Sequence, residues 1–147
     1  MPSVPLHYVD LRAFCYATED EERVERALMT YLPEDIELDR AVSEGHHGDR
    51  IVVLSARVER ADEIRHVLDK LGELDDVDTV IEELEDRVDE NCAFYLTLDK
   101  QAALEGRTAL GEGITLRAKV EAYPAEKERA VENAREALEG LVVSGEG

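Results

Sequence analysis

Lysine is scarce in this chain and cysteine scarcer still. The 147 residues include four lysines against thirteen arginines, two cysteines, and seven aromatics, all tyrosine or phenylalanine. Cys15 and Cys92 lack the close spacing of metal ligands and sit in apolar stretches. That excludes a disulfide scaffold and points to buried thiols in a reducing compartment. No apolar run approaches the about 20 residues that span a bilayer. The opening "MPSVPLHYVD" has neither the basic start nor the apolar run of a signal peptide. The expected location is therefore cytoplasmic, with no membrane partner. Also missing are a glycine-rich loop with P-loop or dinucleotide spacing and a serine in a nucleophile elbow. No enzymatic activity and no cofactor are expected.

Acid is what the chain has in excess. Thirty-six Asp and Glu face seventeen Lys and Arg, for a formal charge of −19. Such an excess destabilises a compact state by self-repulsion, and molar salt, with a Debye length of about 3 Å, screens it. An acidic, lysine-poor surface thus reads as halophilic adaptation. Total charge then says little about polyanion partners, because local basic patches are hidden inside it.

The hydropathy pattern gives one domain over residues 1–140 and a flexible tail over 141–147. Residues 6–17 alternate: Val9, Leu11, Ala13 and Cys15 point one way, and Tyr8, Asp10, Arg12, Phe14 and Tyr16 the other. Thr18 and Glu21 have capping-box spacing for a helix whose apolar stripe is Val24, Ala27, Leu28 and Tyr31. Strands over 36–43 and 50–58 flank "EGHHGDR", whose glycines suggest a hairpin. Helices are expected at "ADEIRHVLDKLG" and over 74–89, then a strand at "NCAFYLTL" and a short helix at "DKQAALEG" capped by Asp99. The strand "GITLRAKVEAY" and a helix over 125–139, ending at Gly140, complete the chain. Strands apolar on one side only need helices on one side only. The expected fold is α+β, a two-layer sandwich with an antiparallel or mixed sheet in the order β-α-β-β-α-α-β-α-β-α.

The uncovered face carries the chemistry. Its outward residues are Tyr8, Arg12, Phe14 and Tyr16, then Ile51, Val53 and Arg57, then Tyr95 and Thr97, then Arg117 and Lys119. Aromatic rings interleaved with cations suit single-stranded nucleic acid, since rings stack on bases and cations neutralise phosphate. The same face also suits packing against a second copy, so a homodimer without a nucleic-acid role stays open. A second constellation is "LDKQAALEGRTAL": Lys100 and Gln101 begin a short helix and Arg107 follows the glycine that ends it, a possible phosphate clamp. A metal-dependent hydrolase built on His46 and His47 is a third reading. Adjacent strand residues point to opposite faces, which disfavours shared ligation unless a turn redirects them.

The segments "HYVDLRAFCYATED", "EGHHGDRIVVL" and "FYLTLDKQAALEGRTAL…ITLRAKVEAYP" resemble a group of small archaeal proteins. These are described as predicted RNA-binding proteins or exosome subunits, with a domain likened to double-stranded-RNA-binding or ribosomal-protein-L5-like folds. The resemblance covers nearly the whole chain. It implies non-catalytic RNA binding, association with RNA processing or degradation, and roles for His46, His47 and Arg50 in the hairpin and for Lys100, Gln101 and Arg107 around the short helix.

Overall fold

Residues 6–44 and 48–146 are described by the structure, a computed structural model. Strand β1 (Leu6–Cys15) is central in a five-stranded sheet with β2 (Asp39–Glu44), β3 (Arg50–Val58), β4 (Ala93–Asp99) and β5 (Gly113–Val120). The order is β2-β3-β1-β5-β4, and every neighbouring pair is antiparallel. Register aligns the apolar sets: Leu11 lies opposite Ala56 on one side and Leu116 on the other, and Leu116 opposite Leu96. All four are buried. Each such row forms because alternation puts every second side chain on one face, and burying a leucine there contributes about 1.5–3 kcal/mol.

Among the described residues six helices, α1 (Glu21–Met29), α2 (Ala61–Leu71), α3 (Val77–Glu82), α4 (Leu84–Arg87), α5 (Lys100–Leu104) and α6 (Lys127–Glu146), join this core. Val24, Ala27 and Leu28 of α1, Ile64, Val67 and Leu71 of α2, and Ala130, Ala134 and Leu138 of α6 form one cluster with the apolar sheet face. The expected two-layer sandwich is therefore present, with an antiparallel sheet. Leu116→Ala would open a hole at its centre, at a cost of about 2–5 kcal/mol.

Local details differ from the sequence expectation where tertiary contacts intervene. Asp20, not Thr18, caps α1, its carboxylate accepting from the Glu22 N–H at 3.0 Å. Thr18 lies within the turn closed by the Glu19 N–H to Tyr16 carbonyl bond. The single helix expected over 74–89 is two short ones, with Val88 extended and bridged to Phe94 instead. Pairing Val88 with the edge of β4 ends the helix there. Helix α6 runs past Gly140 to Glu146, and Leu141 packs on the core, which holds the helix beyond the glycine.

Two glycines set the upper end of the sheet. A Cβ on Gly111 would come within 2.6 Å of the Asp99 Cβ, and one on Gly113, at φ +112°, within 2.6 Å of the Lys100 Cβ. Only glycine lets β5 begin so close to the β4–α5 junction. Lys100 is thereby carried toward the end of β1.

Candidate functional site

The face without helices is built in rows. Arg57, Asp10, Arg117 and Tyr95 lie side by side across β3, β1, β5 and β4. The next row is Ser55, Arg12, Thr115 and Thr97, with Asp39 at the β2 end. Tyr8 pairs with Lys119, and Phe14 with Val53. Four cations, Arg12, Arg57, Arg117 and Lys119, thus share the central three strands with the single carboxylate Asp10. That local balance opposes the formal −19 of the whole chain.

Three of the four cations have fixed positions. Arg57 donates to both Asp10 oxygens, at 2.7 and 3.0 Å, and its guanidinium carbon lies 4.0 Å from the Tyr8 ring centre. The Asp10 hydrogen bond holds the guanidinium above its ordinary pKa. Arg117 lies 5.8 Å from the Tyr95 ring centre, and its buried Nε has no hydrogen-bond partner in the structure. Lys119 donates to the Asn91 carbonyl. Asp89 supports this end: burial pushes its carboxyl up, but hydrogen bonds from the Ala93 and Asn91 N–H groups and the Tyr95 hydroxyl, with the charge of Arg117, bring it below its ordinary value. Arg12 is exposed, and among the described residues no carboxylate pairs with it.

At the upper end Tyr16 is 52% exposed, just past β1. The Lys100 ammonium lies 5.6 Å from its ring centre. That ammonium is turned inward: it donates to the Phe14 carbonyl at 3.0 Å and to Glu19 at 2.8 Å, leaving the side chain 14% exposed. The first amides of α5 are engaged as well, Lys100 N–H by the Glu112 carbonyl and Ala102 N–H by the Asp99 carboxylate. Gln101 is exposed. Arg107 is paired with Glu105, its Nε 3.0 Å from the carboxylate.

The sequence-derived site residues therefore divide into groups. Arg12, Tyr95, Arg117 and Lys119 come together on one face, with Tyr16 at its end. Arg50 lies opposite Glu44 with the parity of buried Val52, on the helix-facing side of the hairpin. Gln101 and Arg107 belong to α5 and its exit, with α5 packed against α1 through the Thr30 hydroxyl and the Ala103 carbonyl. His46 and His47 lie outside the described residues. Among the described residues no cluster of His, Cys, Asp and Glu is arranged to hold a metal ion. No helix there is long and apolar enough to cross a membrane.

One aromatic was missed. Tyr123 is 79% exposed and, with His7 and Lys119, lines an open cleft of about 310 Å³ at the lower end of β5. In "GITLRAKVEAY" it shares the parity of Arg117 and Lys119, which was the available signal, although β5 itself ends at Val120.

Comparison with known proteins relates the whole chain to a family. Residues 8–120 match a protein family described as RNA binding. The RNA-binding protein PAB1135 of Pyrococcus abyssi is 39% identical over 145 residues, covering 91% of this chain and 94% of that one. The crystal structure of AF2318 from Archaeoglobus fulgidus superposes with a TM-score of 0.81 at 29% identity, covering 90% of this chain and 99% of its own. A DUF54 protein of Methanothermobacter thermautotrophicus superposes with a TM-score of 0.78 at 43% identity, covering 90% and 98%.

Proposed function

We infer that this chain, which belongs to the RNA-binding family matched by its residues 8–120, binds single-stranded RNA on its open sheet face without catalysing a reaction on it. The observation that carries the reading is the clustering of Tyr8, Phe14, Tyr95, Arg12, Arg117 and Lys119 on one face of a strongly acidic molecule. Bases stack on the tyrosines, each worth about 1–3 kcal/mol, and the guanidiniums meet phosphates. Arg12 is the principal phosphate contact because no carboxylate among the described residues competes for it.

Arginine suits this role in concentrated salt. Counterion release contributes little there, so planar two-point hydrogen bonds and stacking carry more of the affinity. The archaeal resemblance extends the proposal to a role beside the RNA-processing or degradation machinery.

The test is fluorescence anisotropy with a labelled single-stranded RNA, for wild type and for Tyr16→Ala, Tyr95→Ala and Arg12→Ala, with the RNA re-examined afterwards by gel. Binding that weakens in all three variants and leaves the RNA intact supports the proposal. Unchanged binding in all three would move the site off the sheet; shortened RNA would make the protein a nuclease.

A further inference from the structure

The two edges of the sheet are unlike. Strand β4 is covered at both ends, by Val88 bridged to Phe94 and Leu110 bridged to Leu98. Among the described residues no strand lies beyond β2: all six of its residues, Asp39–Glu44, are exposed, and Val42 is 51% exposed. An edge strand presents half of its backbone N–H and C=O groups outward. Among the described residues no other backbone segment takes up those of β2.

The sequence of this edge is complementary to itself. In an antiparallel pair of identical strands centred on Val42, Val42 meets Val42, Ala41 meets Ser43, and Arg40 meets Glu44 twice. Arg40, Val42 and Glu44 share the helix-facing side, opposite Leu54, Val52 and Arg50. The exposed valines would cover one another at the dyad, flanked on either side by Glu44 meeting Arg40, which also holds Glu21 of its own chain through two hydrogen bonds. A register centred on Ala41 instead sets Arg40 against Val42 and Asp39 against Ser43, with no charge pairing. We propose that a second copy of this chain docks edge to edge on β2 in the Val42-centred register, joining two sheets into one of ten strands.

The two-fold axis of such a pair is perpendicular to the sheet, so both open faces end on the same side. Docking leaves each open face uncovered, unlike a dimer packed face to face, and it does not depend on what those faces bind. Six residues of strand pairing make a small interface, below the about 1,000 Å² of a stable complex, so association depends on concentration. Each copy carries a formal −19, and salt screens the repulsion between copies. Dimerisation therefore strengthens as salt rises.

Sedimentation equilibrium of the full chain at low and at molar potassium chloride tests this, with the variants Arg40→Glu, Glu44→Arg and the double exchange. Each single exchange sets like charges opposite one another and should weaken the dimer about tenfold or more; the double exchange should restore it. Arg40→Glu also places a carboxylate beside Glu21, its present partner at 2.8 Å, so circular dichroism checks its fold. Val42→Lys, which puts two ammonium groups at the dyad, gives an independent loss. A chain that stays monomeric at all concentrations and salts overturns the proposal. So does a dimer that survives Val42→Lys, or one that the double exchange fails to restore.

Discussion

Asp10 and Arg57 face one another across β1 and β3 and are joined by two hydrogen bonds, at 2.7 and 3.0 Å. The pair fixes the Arg57 plane over the Tyr8 ring and occupies the one carboxylate among the four cations of the central face. Arg57 thus arrives at the face already neutralised, whereas Arg12, two residues along β1 from Asp10, does not. Arg12→Ala should therefore lower RNA affinity more than Arg57→Ala, by about tenfold or more, the scale of one charge-assisted hydrogen bond. Titrations of the two variants side by side check the ranking; equal losses would mean that RNA displaces Asp10.

Removing a stacking ring should be costly without harming the fold. Tyr16→Ala and Tyr95→Ala are each expected to weaken RNA binding by about 5- to 150-fold, the equivalent of 1–3 kcal/mol. Both side chains are exposed, so the thermal midpoint of Tyr16→Ala should stay near that of wild type. Tyr16→Phe keeps the ring and should keep the affinity. If it binds as poorly as Tyr16→Ala, the hydroxyl and not stacking is the contact.

The salt dependence should be shallow. With Arg57 held by Asp10, three cations on the face remain to neutralise phosphates, so log K against log salt should fall with a slope no steeper than about −2 for single strands. Anisotropy titrations between low and molar potassium chloride give the slope. A value of −5 would require a larger cationic surface than this face supplies.

Lys100 should matter for stability more than for RNA. Its ammonium bridges the Phe14 carbonyl and Glu19 and is largely covered, so Lys100→Met takes a charged donor from both and leaves Glu19 only the Tyr16 N–H. A loss of about 1–3 kcal/mol in urea unfolding is expected. Affinity of the folded variant should change little. A variant of full stability that no longer binds RNA would return Lys100 to the phosphate clamp suggested by its place in "LDKQAA".

The same bridge sets a pH dependence. Burial pushes the Glu19 carboxyl up, but hydrogen bonds from Lys100 and the Tyr16 N–H, with the Lys100 charge, bring it below its ordinary 4.5. A carboxyl depressed in the fold contributes stability that is fully present above 4.5 and is lost as pH falls through the folded value. The stability difference between wild type and Glu19→Gln should accordingly hold from neutrality down to 4.5 and shrink below it. Urea midpoints measured at several pH values test this; a constant difference would separate Glu19 from the acid response.

The alternation of the strands is local, with a period of two, so the sequence by itself determined which side chains of β1, β3, β4 and β5 share the open face and which enter the core. It also determined the one-sided helix layer, because strands apolar on one side leave a sheet no other way to bury them. Long-range contacts decided the rest. Asp10 meets Arg57 only because β1 pairs with a strand 47 residues away, and Lys100 reaches Glu19 across 81 residues of chain. Alternation gives a residue its face but not its neighbour across the sheet; strand order and register supply that, through the whole core's packing. Hence Arg12 and Arg57 look alike in the sequence, and only the fold leaves one of them free for a phosphate.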